Sequence, residues 1–372
     1  ELHVASGLNV VSSSSVGGGS HVYAGLNVRP PVAGYWDGIT EGLSDPVMDP
    51  HYDRVLARLG SRAPMADDQL PSTLASRFGE DSPIDAQGAD YALDMGFRFP
   101  ETPGAPRRIV NEDGVERQEF RPGEDGNLGS EQGGKTTLDV AYLARAIKSG
   151  LKVLDQCEVE VIRRSRDDTG YVVDCRNHHN GKREAHRATA VVLAAGTMNT
   201  LKLLLHSQAK GYLQPMPRLG EYFGYWDLDD EKTDLSVGMP ARGLLKLKDA
   251  SALGDGVAWP MIGEGSLPSP ALLPLGGWIS KKLRRGTYVA GMGPDAQDGT
   301  VRYHKGRLSI DYVPANSEIF GRIKRAFRLI GEKTGRRIYH FERPITVHPT
   351  GGACIGRDAA DGVVDANGEV FA

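Results

Sequence analysis

The sequence predicts an α/β chain joined to a region of antiparallel β structure. Three observations predict it. Residues 133–207 place a helix-period stretch before strand-like runs and end in a strand-to-helix turn. Residues 211–316 break into short apolar runs separated by proline and glycine, and residues 316–336 carry one strongly amphipathic helical pattern.

At 372 residues the chain suffices for one large or two ordinary domains with ample core. Hydrophobic residues at 40% and charged residues at 25% are ordinary for a globular protein, and a net charge of -4 gives no electrostatic case for nucleic acid or an anionic membrane. No uninterrupted apolar run of about 18 residues occurs, so no spanning helix is predicted. The cysteines Cys157, Cys175 and Cys354 lack metal-ligand spacing; each reads as a small buried apolar residue, and no metal is expected. The chain opens at Glu1 without signal-peptide organisation, which leaves a cytoplasmic and an exported protein both open.

In chain order, "LNVVSSSSVGGGSHVYAGLNVRPP" (8–31) reads as a loop feeding a short buried helix or turn. A flexible linker is the alternative, but Val10, Val11, Val16, Val22, Tyr23 and Leu26 are packing residues. Residues 32–131 are irregular and rich in Pro, Gly and Asp, with short helical stretches such as "HYDRVLARLG", and read as a covering segment. "GGKTTLDVAYLARAIKSG" has Leu138, Ala141, Ala144 and Ile147 at helical spacing and Gly150 as its stop. "LKVLDQCEVEVIRR" and "GYVVDCRN" read as strands joined by "RDDTG", and "NHHNGKRE" as a second turn with solvated His178 and His179. "ATAVVLAAG" reads as a strand buried on both faces, running through Gly196 into the helix "TMNTLKLLLHSQ". Such a unit brings bare backbone to the carboxyl edge of a sheet, where α/β folds bind ligands, although a plain tight turn fits the same residues.

Beyond residue 211, "GEYFGYWDLDD", "GVAWPMIGEG", "GSLPSPALLPLGG", "RRGTYVAGMG" and "RLSIDYV" suit an antiparallel sheet. "NSEIFGRIKRAFRLIGEKTGR" sets Ile319, Phe320, Ile323, Phe327 and Ile330 on one helical face, with Asn316 or Ser317 as cap. Last comes "HPTGGACIGRD" (348–358), an imidazole beside a rigid proline and paired glycines. A histidine titrates near neutrality and can accept a hydroxyl proton when held within about 3 Å of the oxygen. A histidine satisfied within a loop is the bland alternative. His21, His51, His206, His304 and His340 have no comparable setting.

Four segments in order, the GGGS turn, "KTTLDVAYL", "VVLAAGT" and "HPTGGACIG", resemble the glucose-methanol-choline (GMC) family of flavin oxidoreductases, in particular its cholesterol-oxidase-type branch. The resemblance covers 14–31, 133–207 and 340–372 and is thin between them. It implies an incomplete Rossmann-like FAD-binding domain of residues 1–31, 132–210 and 336–372, with 32–131 as covering insert and 211–335 as an α+β substrate domain. It implies that Gly18 and Gly19 pack against FAD, that Tyr23 and Leu26 stand near the flavin, and that the Val159 main chain meets the adenine. Gly196 falls near the adenosine, Gly351 and Gly352 lie against the flavin, and His348 is the active-site histidine. Tyr23 departs from the family's usual Asn, and Leu26 stands where Met or another apolar residue is found.

The implied activity is oxidation of the CH–OH group of a small-molecule alcohol, sterol-like or otherwise bulky and apolar; the apolar stretch 257–279 suits a chamber or lid for it, and plain packing equally. Glu264 sits later than the place where the steroid branch carries its isomerising carboxylate, and the aligned place looks like Trp259, so isomerisation is not expected. The family's opening Gly-x-Gly-x-x-Gly is missing, and the chain stops at "DANGEVFA", which predicts a truncated enzyme with little activity in isolation. A non-catalytic module that keeps the fold for binding is the second reading. A nicotinamide-dependent dehydrogenase finds no dinucleotide fingerprint.

Overall fold

The computed structural model describes residues 2–4, 9–30, 33–65, 68, 84–85, 93–102, 107–121, 125–126, 129–167, 169–210, 222–227, 237–239, 244–247, 261–268, 286–293, 295, 299–335, 338–340, 342–346, 353–360 and 362–371. From the amino end, β1 (Leu2–Val4) and β2 (Asn9–Val11) precede a 3-10 turn at Gly18–His21 and then α1 (Asp45–Leu59). β3 (Ile84–Asp85), β4 (Arg108–Val110) and β5 (Glu116–Gln118) follow, and a π turn over Asp139–Leu143 runs into α2 (Ala144–Lys148). Next come β6 (Cys157–Arg164), β7 (Tyr171–Asn177), β8 (Arg183–Ala188) and α3 (Gly196–Ala209). The second half holds β9 (Tyr222–Asp227), β10 (Val237–Met239), β11 (Leu244–Leu247), β12 (Met261–Pro268), β13 (Gly286–Met292), β14 (Thr300–His304) and β15 (Arg307–Asp311). α4 (Glu318–Thr334), β16 (Ile338–His340) and β17 (Ile345–Thr346) complete the order.

Antiparallel structure occupies the region where short strands were predicted. The largest sheet has the order β16-β9-β13-β12-β11-β3, with β10 also paired to β12, and every ladder in it is antiparallel. It takes in β3 and β16 from outside residues 211–335. α4 packs against β13 and β16 and buries Ile319, Phe320, Ile323, Ala326, Phe327 and Ile330, the face that the 3.6-residue period marks. The helix ends at Gly335, whose φ of 66° lets the backbone turn off the last helical residue. Ser317 holds the N-cap position, but its Oγ shares a 2.8 Å hydrogen bond with the Tyr312 hydroxyl instead of capping.

A smaller antiparallel sheet, β6-β7-β8, carries α3 against β6, and Ser207 Oγ accepts the Ile162 N–H at 3.1 Å. Burial, with Cys157 beside it, pushes the Cys175 thiol up to about 12. His178 and His179 are exposed turn residues, as expected, and each faces a carboxylate, Glu158 at 3.1 Å and Asp155 at 3.4 Å.

The third strand of this sheet differs from the prediction. Residues 189–195 of "ATAVVLAAG" form no strand, and Val192 is 88% exposed; the polar segment "REAHRA" pairs with β7 instead, from Arg183 opposite Arg176 to Ala188 opposite Tyr171. A strand apolar on both faces needs flanking strands, and among the described residues none pairs with 189–195. β8 is held by backbone hydrogen bonding at a sheet edge, where charged side chains on both faces are tolerated.

At the amino end, β2 pairs antiparallel with β1 and parallel with β17, placing Thr346 beside Val10. Val10 is buried, but Val11, Val16 and Val22 of the same stretch are exposed, so only part of the expected packing is made. Among the described residues no helix is long and apolar enough to cross a membrane.

Candidate cofactor-binding site

The stretch from Gly17 to Tyr23 is a tight turn, not a linker. Gly17 and Gly18 have φ values of 92° and 57°, in the region that a side chain disfavours. The turn closes on itself: Gly18 N–H donates to Ser15 O at 2.8 Å, Tyr23 N–H to Gly19 O at 2.9 Å, and Ser20 Oγ to Gly17 O at 2.7 Å. A Cβ on Gly17 would lie 2.8 Å from His21 Nε2, whereas a Cβ on Gly18 or Gly19 would meet nothing within 4 Å. Two adjacent glycines therefore present bare backbone to open space from a turn fixed on its other side.

What fixes it is the segment 134–140. Leu138 N–H donates to Ser20 Oγ at 3.0 Å, and the Tyr23 hydroxyl donates to Thr136 O at 3.3 Å. Lys135 is wholly buried; its Nζ donates to His21 O at 3.0 Å and to Gly126 O at 2.9 Å, and it stands 4.9 Å from the centre of the Tyr23 ring. Burial lowers its ammonium to about 8 and raises the Tyr23 phenol to about 12. Below this layer lie Met95, Phe97, Phe99 and Phe120, with Leu26 packed on them.

The helix predicted within 133–150 opens instead with the π turn Asp139–Leu143, and of Leu138, Ala141, Ala144 and Ile147 only Ala141 is buried. Such turns re-aim side chains, often at functional sites. Arg58 anchors this one by donating from Nε to Ala141 O at 2.6 Å and by pairing with buried Asp113. Asp139 Oδ1 is buried and lacks a hydrogen-bond donor among the described residues. His21 Nε2 lies 3.3 Å from it, but is engaged with Val16 O at 2.7 Å. His21, Arg117, Ser130, Gly133, Thr137 and Asp139 line a cavity of about 310 Å³ beside the turn. Burial pushes the Arg117 guanidinium down from its ordinary range, and its Nη2 donates to Thr136 Oγ1 at 3.0 Å.

The residues singled out in the sequence fall in three places. Gly18, Gly19 and Tyr23 are in the turn, while the Leu26 side chain is taken up by the Phe97 core. Val159 and Gly196 belong to the β6–α3 unit: Val159 is opposite Cys175 beside a bulge, and Gly196 opens α3 with φ 72° and open space at its Cβ position. His348, Gly351 and Gly352 lie outside the described residues, as does most of 257–279. Lys135, His21 and Asp139 were missed as site residues. The Gly-Gly pair before Lys135 was the one local cue, since His21 and Asp139 are 118 positions apart by subtraction of their numbers.

Residues 100–221 match the GMC oxidoreductase family. The matched span holds Lys135, the π turn, Val159 and Gly196, and lies between Gly18–Gly19 on one side and His348 on the other. No curated protein matches the chain significantly. The GMC match supports flavin-dependent alcohol oxidoreduction in general, and FAD is the cofactor that GMC oxidoreductases typically bind. The turn fits part of such a cofactor. The bare face of Gly18 and Gly19 leaves room for a flat ring or chain at close range.

Proposed function

We propose that this chain forms part of an FAD-dependent oxidoreductase of CH–OH donors, in the cholesterol-oxidase-type branch of the GMC family, acting on a sterol-like or other bulky apolar alcohol. The observation that carries the reading is the open backbone of Gly18 and Gly19, held by Lys135, Ser20 and Tyr23 against a segment that matches the GMC family. Bound FAD would supply the acceptor for the hydride leaving the carbinol carbon. The chain's own contribution is to orient that cofactor at the glycine turn and to receive the hydroxyl proton at His348, beside which Pro349 restricts the backbone. The resemblance assigns Gly351 and Gly352 to the flavin and Val159 and Gly196 to the adenosine end. Support for the histidine comes from β17: Thr346, two positions before His348, lies beside Val10 on the parallel ladder, and β2 leads on to the glycine turn. The bulky substrate rests on the apolar stretch 257–279 and on the resemblance.

The test uses the protein expressed from its complete gene. FAD binding is followed by flavin fluorescence, and flavin bleaching by anaerobic stopped flow with sterols and simple alcohols. The reading expects His348→Gln to slow bleaching by at least about a hundredfold with FAD affinity retained. Equal loss of both makes His348 structural, and failure to bind FAD overturns the reading.

A further inference from the structure

Cys157, Cys175 and His186 stand on three successive strands, β6, β7 and β8, and their sequence spacing does not connect them. Strand register does. Cys175 is opposite Val159 on one side and Glu184 on the other, so Cys157 and His186, each two positions from those partners, share its face of the sheet. The two sulfurs and one imidazole nitrogen all lie within 4.8 Å of one another.

We propose that this face is a metal site, in which Cys157, Cys175 and His186 bind a thiophilic divalent cation of the zinc class. Two thiolates and an imidazole are the donors that zinc prefers, and three protein ligands with water in the fourth position complete a tetrahedron. Two thiolates on one zinc lie about 3.8 Å apart, given zinc–sulfur bonds of about 2.3 Å, so the cluster needs only a small contraction. Binding releases the two thiol protons to solvent, and no redox change is involved. Glu184 Oε2 stands 3.5 Å from His186 Nε2, the carboxylate–histidine pairing that orients metal-bound imidazoles.

A disulfide is the competing chemistry, and the register argues against it. Cys157 is opposite Asn177, not Cys175, so the two cysteines are a diagonal pair. Diagonal neighbours stand about 7–8 Å apart, whereas disulfides beyond roughly 7 Å between Cα atoms require the backbone to move. A cation bridges that gap without such movement. The site does not rest on the flavin reading: none of its ligands is a residue assigned to FAD, although Val159, opposite Cys175, is assigned to the adenosine end.

The experiment adds Co²⁺ alone to the reduced protein and follows the absorption spectrum, with Zn²⁺ as competitor. One equivalent should produce a thiolate-to-cobalt charge-transfer band that Zn²⁺ abolishes. Cys157→Ser and His186→Gln, both away from the most buried ligand, should each weaken Co²⁺ by more than the roughly tenfold that losing a supporting contact costs, with circular dichroism unchanged. Cys354→Ser should leave the titration as it was. A spectrum without the charge-transfer band, a Co²⁺ affinity unchanged in Cys157→Ser, or a thiol count showing Cys157 and Cys175 oxidised to each other overturns the site.

Discussion

Lys135, wholly buried, holds its ammonium 4.9 Å from the centre of the partly buried Tyr23 ring. The ammonium spends its protons on two backbone carbonyls, His21 O and Gly126 O. Desolvation dominates both shifts, and the two shifts act on stability in opposite directions. Lys135 releases its proton near pH 8 when folded and near 10.5 when unfolded, so between those values the unfolded chain binds more protons and stability rises with pH. Tyr23 loses its proton near 10.0 unfolded and near 12 folded, so above pH 10 its contribution falls as pH climbs. Denaturant unfolding at stepped pH should show a gain on the order of 3 kcal/mol from Lys135 across its window. Lys135→Met should lack that rise, and Tyr23→Phe should lack the decline above pH 10. Parallel pH curves for wild type and Lys135→Met would mean that the ammonium is not desolvated.

Gly96 is tied to the same tyrosine. A Cβ there would press on the Tyr23 hydroxyl and lie 2.8 Å from Asn27 Nδ2, while Gly96 N–H donates to Gly25 O at 2.7 Å and its carbonyl accepts from Thr136 at 2.7 Å. The backbone is pinned on both sides and cannot retreat. Gly96→Ala should cost about 1–3 kcal/mol by overpacking. Adding Tyr23→Phe removes the atom that is struck, so the double variant should recover a substantial part of the loss. Additive losses in the two-variant cycle would show that the clash relaxes elsewhere.

Glu119 sits beneath the neighbouring strand pair at 1% exposure and accepts three hydrogen bonds from Arg107, from N at 3.0 Å, Nε at 3.3 Å and Nη2 at 2.8 Å. Those bonds hold its carboxyl below the usual carboxylate range. A depressed folded value means that the carboxylate stabilises the fold above the unfolded pKa of about 4.3 and that this is lost as pH falls through the lower folded value. Melting curves from about pH 6 to about pH 3 should show Glu119→Gln with the lower midpoint at the top of the range and the gap closing toward the bottom. A gap that widens on acidification contradicts the assignment.

What the sequence revealed, and what it hid, divides by the range of the interaction. α4 was legible because Ile319, Phe320, Ile323, Phe327 and Ile330 recur at the helical period, and all five are buried. β6 and β7 were legible through their apolar runs and the turn between them. Residues 189–195 were misread because local hydrophobicity does not say which strand is next to them, and β8 was missed because an edge strand needs only backbone partners. Lys135 was invisible as a buried group: its acceptors lie 114 and 9 positions away, so no local window holds the reason for burying an ammonium. The cysteine–histidine cluster shares that cause, being a product of register alone.

Within the glycine turn, Gly17 and Gly19 stand in opposite surroundings two positions apart. Gly17 has φ 92°, and a Cβ there would lie 2.8 Å from His21 Nε2 and 3.0 Å from Asp139 Oδ1, so Gly17→Ala should destabilise the fold by about 1–3 kcal/mol. Gly19 has no left-handed strain and nothing within 4 Å of its Cβ position, so Gly19→Ala should change stability by less than about 0.5 kcal/mol. If a cofactor packs on that face, the same methyl displaces it, and a misfit of about 1.4 kcal/mol weakens binding roughly tenfold. Denaturant melts and FAD fluorescence titrations on the protein from its complete gene give both numbers. Gly17→Ala is expected to lose stability, and Gly19→Ala to lose FAD affinity alone. An alanine at 19 that binds FAD as wild type does would reduce the open face of the turn to a feature of the fold.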